Sequence, residues 1–330
     1  MRKRSDMEGE LKVPREKTVT DYHVHSLVFG GASSLAGVRG LFLKRLLRRL
    51  GVPARAADLE AAYHARLSHL VRRSIFVRRA VVFGLDGRYD SGGRPVEVRS
   101  LLTIPNERVL ANIAGLEGLC FGASINPARA DAADELERCA AAGAVIVKVL
   151  PNTQGFDPAR RRYRPFYRRM AELGLPLLVH SGMEFVLGAA DQSLGDPARL
   201  ETALAEGVAV IAAHGGGTGL GPFEHNLPVL RRLARRYDNF FIDTAALTLP
   251  TRMAMVFLLR RHPLLRGRVV FGTDLPLPQL AAPFVFSLAP RRLLEIRRIE
   301  NPFDRALALM VGLGLPPAGQ APLEALVKRA

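Results

Sequence analysis

The chain has little cysteine, no tryptophan and no long apolar run. Its two cysteines, Cys120 and Cys139, are too few for a disulfide scaffold or a four-cysteine zinc site. No apolar segment approaches the roughly 18 residues that a membrane-spanning helix needs, and no secretory signal follows the basic N-terminus. With 48% apolar and 24% charged residues among 330, the composition is that of a folded protein. We therefore expect a cytoplasmic enzyme with a small-molecule substrate, and a homodimer is compatible with this expectation.

Lysine is also scarce, although the chain is strongly basic. There are 41 arginines and 6 lysines, and the formal net charge is +16. The arginines are spread over many segments, whereas a nucleic-acid surface is expected to cluster its cations and to interleave aromatic residues. Aromatic residues make up only 7% of the chain. The charge therefore does not favour a nucleic-acid partner.

Eight short apolar segments alternate with longer stretches that have the pattern of helices. Such nearly continuous apolar segments are typical of parallel strands that are buried on both faces. They indicate a (β/α)8 TIM-like barrel, with a doubly wound open sheet as the alternative. The predicted strands are 18–25, 80–86, 119–126, 144–148, 176–180, 208–214, 240–243 and 268–274.

Each predicted strand ends in a polar residue. From the fourth strand onward these residues are 29 to 34 positions apart, which is about the length of one strand-helix unit. Residues in register with that repeat meet at the C-terminal mouth of a barrel, where active sites of this fold are built. The residues are His23 and His25, Asp86, Asn126, Lys148, His180, His214, Asp243 and Asp274.

Residues 27–74 interrupt the repeat after the first strand. Helices are predicted at 35–50 and 56–73, and the first has an apolar stripe opposite arginine and lysine. We interpret this insertion as a lid over the mouth, and a helix lying on a membrane surface is the alternative. The whole chain is predicted to have three parts. Residues 1–16 form a flexible basic tail, residues 17–312 form a single barrel domain that includes the insertion, and residues 313–330 form a loosely docked C-terminal extension.

Histidines and one aspartate at the strand ends suggest a metal site. His23 and His25 are two residues apart on a strand, so they lie on the same face. His180, His214 and Asp274 each end an apolar strand, where an imidazole is costly to bury unless it is ligated or hydrogen-bonded. Imidazoles with a carboxylate make a site for zinc or another divalent ion. A pair of ordinary histidines is the alternative explanation for His23 and His25 alone.

Five motifs in this order resemble the amidohydrolase superfamily, and specifically its amidohydrolase-2 branch of metal-dependent barrel hydrolases. They are DYHVHS, GAVIVKVLPNTQGFDP, LGLPLLVHSG, VIAAHGGG and RVVFGTDLP, at the first, fourth, fifth, sixth and eighth strands. The resemblance covers the first strand and roughly residues 75–275.

The resemblance implies roles for particular residues. His23, His25, His180 and Asp274 would bind one divalent ion, zinc in the first place, with manganese or iron as alternatives. Asp274 would also be the general base that acts on a metal-activated water. His214 would orient the substrate or polarise its carbonyl, or bind a second metal ion.

Lys148 is the only lysine between Lys44 and Lys328. An amine in a chain so rich in arginine suggests a need that guanidinium does not meet. The favoured role is a charged contact with a carboxylate of the substrate. A carbamylated Lys148 that bridges two metal ions, and a lysine that only packs beside the barrel, are the alternatives.

The predicted function is hydrolysis of an amide, ester or lactone carbonyl in a small, carboxylate-bearing substrate. A metal-dependent decarboxylase of the same branch is the alternative. A TatD-type nuclease is less favoured, because it would have a glutamate ligand where this chain has Lys148. Asp243 is interpreted as a partner of a ligating histidine or as a cap at the strand end. His64, His69 and His262 are predicted to lie at the surface.

Overall fold

The computed structural model describes residues 17–28, 37–53, 58–98 and 103–327, so the predicted tail at 1–16 lies outside the described residues. Eight parallel strands stand in chain order, each hydrogen-bonded to the next. These barrel strands are β1 (Val19–His25), β2 (Val77–Phe83), β3 (Leu119–Ser124), β4 (Val147–Val149), β5 (Leu177–Val179), β6 (Val210–Ala212), β7 (Phe240–Asp243) and β8 (Val269–Val270). A separate antiparallel hairpin pairs Arg88–Tyr89 with Pro95–Val96.

Backbone hydrogen bonds between β1 and the segment that begins with β8 bring the barrel close to closure. The Tyr22 N–H donates to the Phe271 carbonyl over 3.0 Å, and the Asp274 N–H donates to the His23 carbonyl over 2.8 Å. The predicted (β/α)8 barrel is therefore confirmed, and the open-sheet alternative is wrong.

Helices surround the strands, and none of them in the described part of the chain is both long and apolar enough to cross a membrane. The α-helices are α1 (Gly37–Leu50), α2 (Leu59–Arg73), α3 (Asn106–Ile113), α4 (Ala132–Ala141), α5 (Pro151–Gln154), α6 (Arg164–Glu172), α7 (Glu201–Ala205), α8 (Leu227–Arg236), α9 (Ala254–Arg260), α10 (Pro263–Arg266), α11 (Pro290–Arg297), α12 (Pro302–Gly312) and α13 (Gln320–Val327). Short 3₁₀ helices lie at Arg161–Tyr163, Gln192–Gly195, Pro197–Leu200, His214–Gly216 and Ala282–Phe284.

The insertion after β1 contains the two predicted helices, α1 and α2. Helix α2 packs along the outside of the barrel against β2, β3 and α3. Leu47 and Leu50 of α1 are buried in the same core as Leu67 of α2, so these apolar side chains of α1 face protein rather than a membrane surface. The described part of the insertion does not confirm a lid, which stays a prediction.

The inside of the barrel is a separate apolar cluster, to which alternate residues of the strands contribute. Ile146, Leu178 and Phe241 belong to this cluster, and Leu323 of α13 joins them. In β4, the next residue in the same orientation as Ile146 is Lys148. The interior therefore changes from apolar to polar toward the C-terminal ends of the strands.

Helix α13 closes the other end of the barrel, which we call the floor. The Gln320 side chain accepts from the Thr20 N–H over 3.3 Å and donates to the Thr18 carbonyl over 3.1 Å. Leu323 is fully buried. The prediction of a loosely docked C-terminal extension is wrong in this part, because the apolar interior needs a cover at its floor and α13 supplies it.

Candidate active site

His23 and His25 project from the end of β1 toward the mouth of the barrel. Their ring centroids are 5.3 Å apart, as expected for two residues on one face of a strand. His23 Nδ1 lies 2.6 Å from Asp243 Oδ2, so Nδ1 carries a proton that it donates to the carboxylate. His23 Nε2 therefore carries a lone pair instead of a proton, and Lys148 Nζ donates a hydrogen bond to it over 2.5 Å. Asp243 thus forms a hydrogen bond with a candidate metal-binding histidine, which is one of its two predicted roles.

Asp274 completes a compact cluster with these two histidines. Its Oδ1 lies 3.1 Å from His25 Nε2 and 3.4 Å from His23 Nε2. One ligand atom from each of the three residues lies within 4.8 Å of the other two. The carboxylate and two imidazoles therefore form a cluster that could hold a metal ion.

Two residues of the site have left-handed backbone conformations, which are uncommon outside glycine. The φ angle is 63° at Asp274 and 59° at His214. Each such conformation costs about 1–3 kcal/mol and is typical of functional sites. The backbone turns sharply at these two strand ends and directs both side chains into the mouth.

His180 and His214 form a hydrogen-bonded chain beside this cluster. His214 Nδ1 donates to the Ala245 carbonyl over 3.1 Å, so its Nε2 is an acceptor, and it lies 3.0 Å from His180 Nδ1. His180 Nδ1 must then carry the proton, which leaves a lone pair on His180 Nε2. Among the described residues, that buried atom has no hydrogen-bond partner. The chain of bonds thus fixes the tautomer of a histidine with an unused ligand atom.

The hydrogen bonds of His214 fix the orientation of its ring. Both of its ring nitrogens are engaged, so in this arrangement His214 positions His180. Its nearest atom to Asp274 is Nδ1, 3.6 Å from Oδ2. A contact between His214 and substrate stays a prediction.

Burial favours the neutral form of His23, His180 and His214. Burial lowers the pKa of His180 and of His214 well below the usual range, and the nearby Arg252 guanidinium lowers both further. Burial, followed by the Lys148 charge, also lowers the pKa of His23. Neutral imidazoles are the form that binds metal ions.

The pKa of Lys148 follows the effect of burial, whereas the pKa of Asp274 is set against it by neighbouring residues. Burial lowers the pKa of Lys148 to about 8. Burial opposes ionisation of Asp274, but His23, His25 and His214 outweigh it and lower the pKa of its carboxyl well below the usual range. Asp274 is therefore an ionised carboxylate at neutral pH.

The structure brings some of the predicted residues together and separates others. His23, His25, Asp274 and Lys148 lie in direct contact, whereas His180 reaches this group through His214. Asp86 and Asn126 lie apart from this cluster and bond to each other, with the Asn126 N–H donating to Asp86 Oδ2 over 2.7 Å. They shape the neighbouring loops after β2 and β3.

Two further site residues escaped the sequence analysis, and one histidine was misplaced by it. Arg252 is buried and donates to the carbonyls of the segment after β5. Asp21 accepts from the Thr273 hydroxyl over 2.6 Å and so ties β1 to the end of β8; burial raises the pKa of its carboxyl to about 7. Period-two alternation with His23 could have pointed to Asp21, but no pattern marks Arg252.

The prediction that His64 lies at the surface is wrong, because it is buried and bonds to Ser26 Oγ over 2.9 Å.

Known proteins share this fold and sequence pattern. A TIM-barrel protein from Bordetella bronchiseptica has a TM-score of 0.59 at 16% identity, over 94% of this chain and 99% of that one. A 2,6-dihydroxybenzoate decarboxylase has a TM-score of 0.51 at 16% identity over 90% and 99%. A 5-carboxyvanillate decarboxylase from Sphingomonas paucimobilis has 0.50 at 14% over 95% and 99%.

These identities are low enough that the likeness shows the fold alone. No curated protein sequence matches the chain. The profile of the amidohydrolase family, in contrast, matches residues 21–295, which include every strand-end residue described above. The chain belongs to the amidohydrolase family, in its amidohydrolase-2 branch.

Proposed function

We propose that the protein is a metal-dependent hydrolase that cleaves an amide, ester or lactone bond in a small, carboxylate-bearing compound. The observation that supports this most is the cluster of His23, His25 and Asp274 at the mouth of the barrel. His23 and Asp274 are buried and His25 is partly buried, at the end of the barrel where enzymes of this fold have their active sites. It consists of the donor types that bind divalent ions in hydrolytic enzymes.

The residues fit a divalent ion, which this family binds. Because Nδ1 carries the proton in both His23 and His180, the Nε2 atom of each has a lone pair that can bind a metal ion. His180 Nε2 has no partner among the described residues. We assign His23, His25, His180 and Asp274 as the residues that hold the ion. Zinc is proposed, with manganese or iron as alternatives, because such sites accept all three. When bound, the ion lowers the pKa of a water toward about 7 and polarises the carbonyl that this water attacks.

Asp274 is proposed as the general base. Its carboxylate is ionised, so an oxygen can accept the proton that the attacking water loses. The left-handed backbone at Asp274 and its contacts with His23 and His25 fix the carboxylate in place. Asp243 in turn holds His23 through Nδ1.

Lys148 is proposed to contact a carboxylate of the substrate. Its amine is buried in the mouth, next to His23, and its pKa of about 8 keeps it mostly charged at neutral pH. A second metal ion would require carbamylated Lys148. Elemental mass spectrometry on protein purified without chelator or nickel decides between these roles. One ion per chain supports the substrate contact, two support the carbamate, and none after incubation with zinc and manganese would overturn the hydrolase.

The experiment that tests the mechanism is Asp274→Asn, assayed with carboxylate-bearing lactones, esters and N-acyl amino acids. Loss of the general base should reduce turnover by roughly 10²- to 10⁴-fold. Asp238→Asn is the matched control, because the Asp238 side chain is fully exposed and its one bonding partner among the described residues is Arg268. Full activity of Asp274→Asn would contradict the proposal.

A metal-dependent decarboxylase is the second candidate, and its support is the likeness in fold to two decarboxylases. Isotope-labelled water separates the two reactions on any substrate that turns over. Hydrolysis incorporates one labelled oxygen into an acid product, whereas decarboxylation releases CO₂ and adds only a proton to the remaining carbon.

A further inference from the structure

Arg252 lies in the segment between β7 and α9 and reaches the mouth of the barrel. Only 7% of the residue is exposed. Its Nη1 donates to the Ser181 carbonyl over 3.2 Å, and its Nη2 donates to the Met183 carbonyl over 2.9 Å. Both carbonyls belong to the segment directly after His180. The guanidinium is therefore held beside the candidate metal site.

The glycine-rich loop after β6 leaves room for this guanidinium. Gly219 has a φ angle of +79°, and a Cβ built there would lie 3.4 Å from the guanidinium carbon and from both terminal nitrogens of Arg252. The backbone of the loop thus lies next to the guanidinium. Any side chain at this position would combine a strained backbone with close contact to the cation.

Arg252 carries a charge that the described residues do not neutralise by direct contact. Neither of its hydrogen-bond acceptors is a carboxylate, and no carboxylate of a described residue lies within ion-pair distance. Two of its five N–H groups therefore have acceptors among the described residues. The carboxylates of Asp274, Glu184, Glu224 and Asp243 act on the guanidinium from beyond ion-pair distance. The remaining three N–H groups have no acceptor among the described residues, so they can donate to a ligand.

A second cation lies in the same part of the mouth. The buried Lys148 ammonium lies beside His23, and its pKa is lowered by burial first and by the Arg252 charge in addition. Glu184 is the nearest competing acid on the β5 side, but its Oε1 accepts from the Val186 and Leu187 N–H groups, and its Oε2 lies 3.6 Å from His180 Nε2. Asp274, Asp243 and Glu184 act on both cations, but none of them forms an ion pair with either cation among the described residues. Both cations can therefore contact the carboxylate of a ligand directly.

We propose that Arg252 binds the carboxylate of the substrate through the N–H groups that have no acceptor among the described residues, with Lys148 as the second cation. The planar fork of a guanidinium matches a carboxylate in two parallel hydrogen bonds. This inference rests on the proposed function, because it takes the substrate to be a carboxylate. It makes Arg252 the residue that selects for anionic substrates.

The test measures binding of benzoate and of the neutral analogue benzamide to the metal-free full-length protein by calorimetry. In Arg252→Gln the benzoate Kd should rise roughly 10- to 100-fold, because a charge-assisted hydrogen bond is lost, while the benzamide Kd changes less than about 3-fold. Arg252→Lys should recover part of the affinity. Arg305→Gln is the matched control, because Arg305 also donates to a backbone carbonyl, that of Ile299.

The inference is overturned if benzoate affinity is unchanged in Arg252→Gln. It is also overturned if the affinities for benzoate and benzamide fall together in Arg252→Gln, since Arg252 would then only hold the segment after β5 in place. A third contradicting result is a wild-type protein that binds no benzoate at about 10 mM. Circular dichroism confirms that each variant is folded, and Arg252→Lys carries the comparison if the Gln variant is not. Failure of the proposed function would instead appear as absence of metal binding and turnover, which are measured separately.

Discussion

The two ends of the barrel handle buried polar groups in opposite ways. At the floor, the Gln320 amide has partners on both its oxygen and its nitrogen, and Leu323 fills the space below the strands. At the mouth, His180 Nε2 has no partner among the described residues, and the buried Lys148 ammonium faces an imidazole. The polar groups at the floor thus satisfy one another, whereas a buried nitrogen at the mouth is left without a partner among the described residues.

Two buried carboxylates show the same difference. Asp304 accepts hydrogen bonds from the Ser74 hydroxyl and from the N–H groups of Ile75 and Phe76, all of which are neutral donors. These bonds connect α12 to the start of β2. Asp274 is surrounded by imidazoles instead. Burial alone therefore does not mark a functional residue, and the chemistry of the partners does.

The largest expected effect on stability lies at the floor. Leu323→Ala should lower the free energy of unfolding by roughly 2–5 kcal/mol and Tm by roughly 3–7 °C, because it leaves a cavity in the barrel interior. Turnover at room temperature should stay unchanged, since the mouth is not touched. Thermal unfolding and a standard assay measure the two quantities.

The matched control is Leu294→Ala, because Leu294 is 48% exposed and its removal creates no cavity. Equal losses in the two variants would show that α13 does not close the floor as described.

At the mouth we expect the reverse pattern. Lys148→Met should reduce turnover of carboxylate substrates, yet it should raise the free energy of unfolding of the metal-free protein at pH 7 by about 3 kcal/mol. The gain follows from the desolvation of the ammonium, which lowers the pKa of Lys148 from 10.5 to about 8. Urea unfolding at pH 7 measures it.

The pH dependence of this gain provides its control. Between about pH 8 and 10.5 the unfolded chain keeps a proton on Lys148 that the folded chain has lost, so wild-type stability rises with pH relative to the variant. Below pH 8 both states are protonated, and the full cost is present. A stability difference that is the same at pH 7 and pH 10.5 would contradict the assignment of a desolvated ammonium.

A smaller effect is expected from Asp243→Asn, which alters the partner of His23 rather than a proposed ligand. The amide is a weaker acceptor for the His23 Nδ1 proton, so zinc affinity should fall by roughly 10- to 100-fold. Competition with a chromophoric chelator measures the affinity, and Asp238→Asn is the control. Unchanged affinity in Asp243→Asn would show that the hydrogen bond between Asp243 and His23 does not support metal binding.

The repeat of strands and polar strand ends was predictable, because both follow from local spacing. Period-two alternation placed His23 and His25 on one face, and the structure agrees. The docking of α13 was not predictable, since its prolines mark a break in the chain but not where the chain returns. His64 stands among basic residues, and its burial depends on α2 packing against the end of β1. Arg252 lies in an irregular segment without periodicity.

The contact between Gln320 and Thr20 joins residues 300 positions apart, and this separation has a consequence for biosynthesis. A nascent chain cannot complete the floor until α13 has left the ribosome, so the apolar interior stays open from below while β1 to β8 are being made. Contacts of such long range also slow folding. The period before α13 emerges is therefore when this barrel is most exposed to aggregation and most dependent on chaperones.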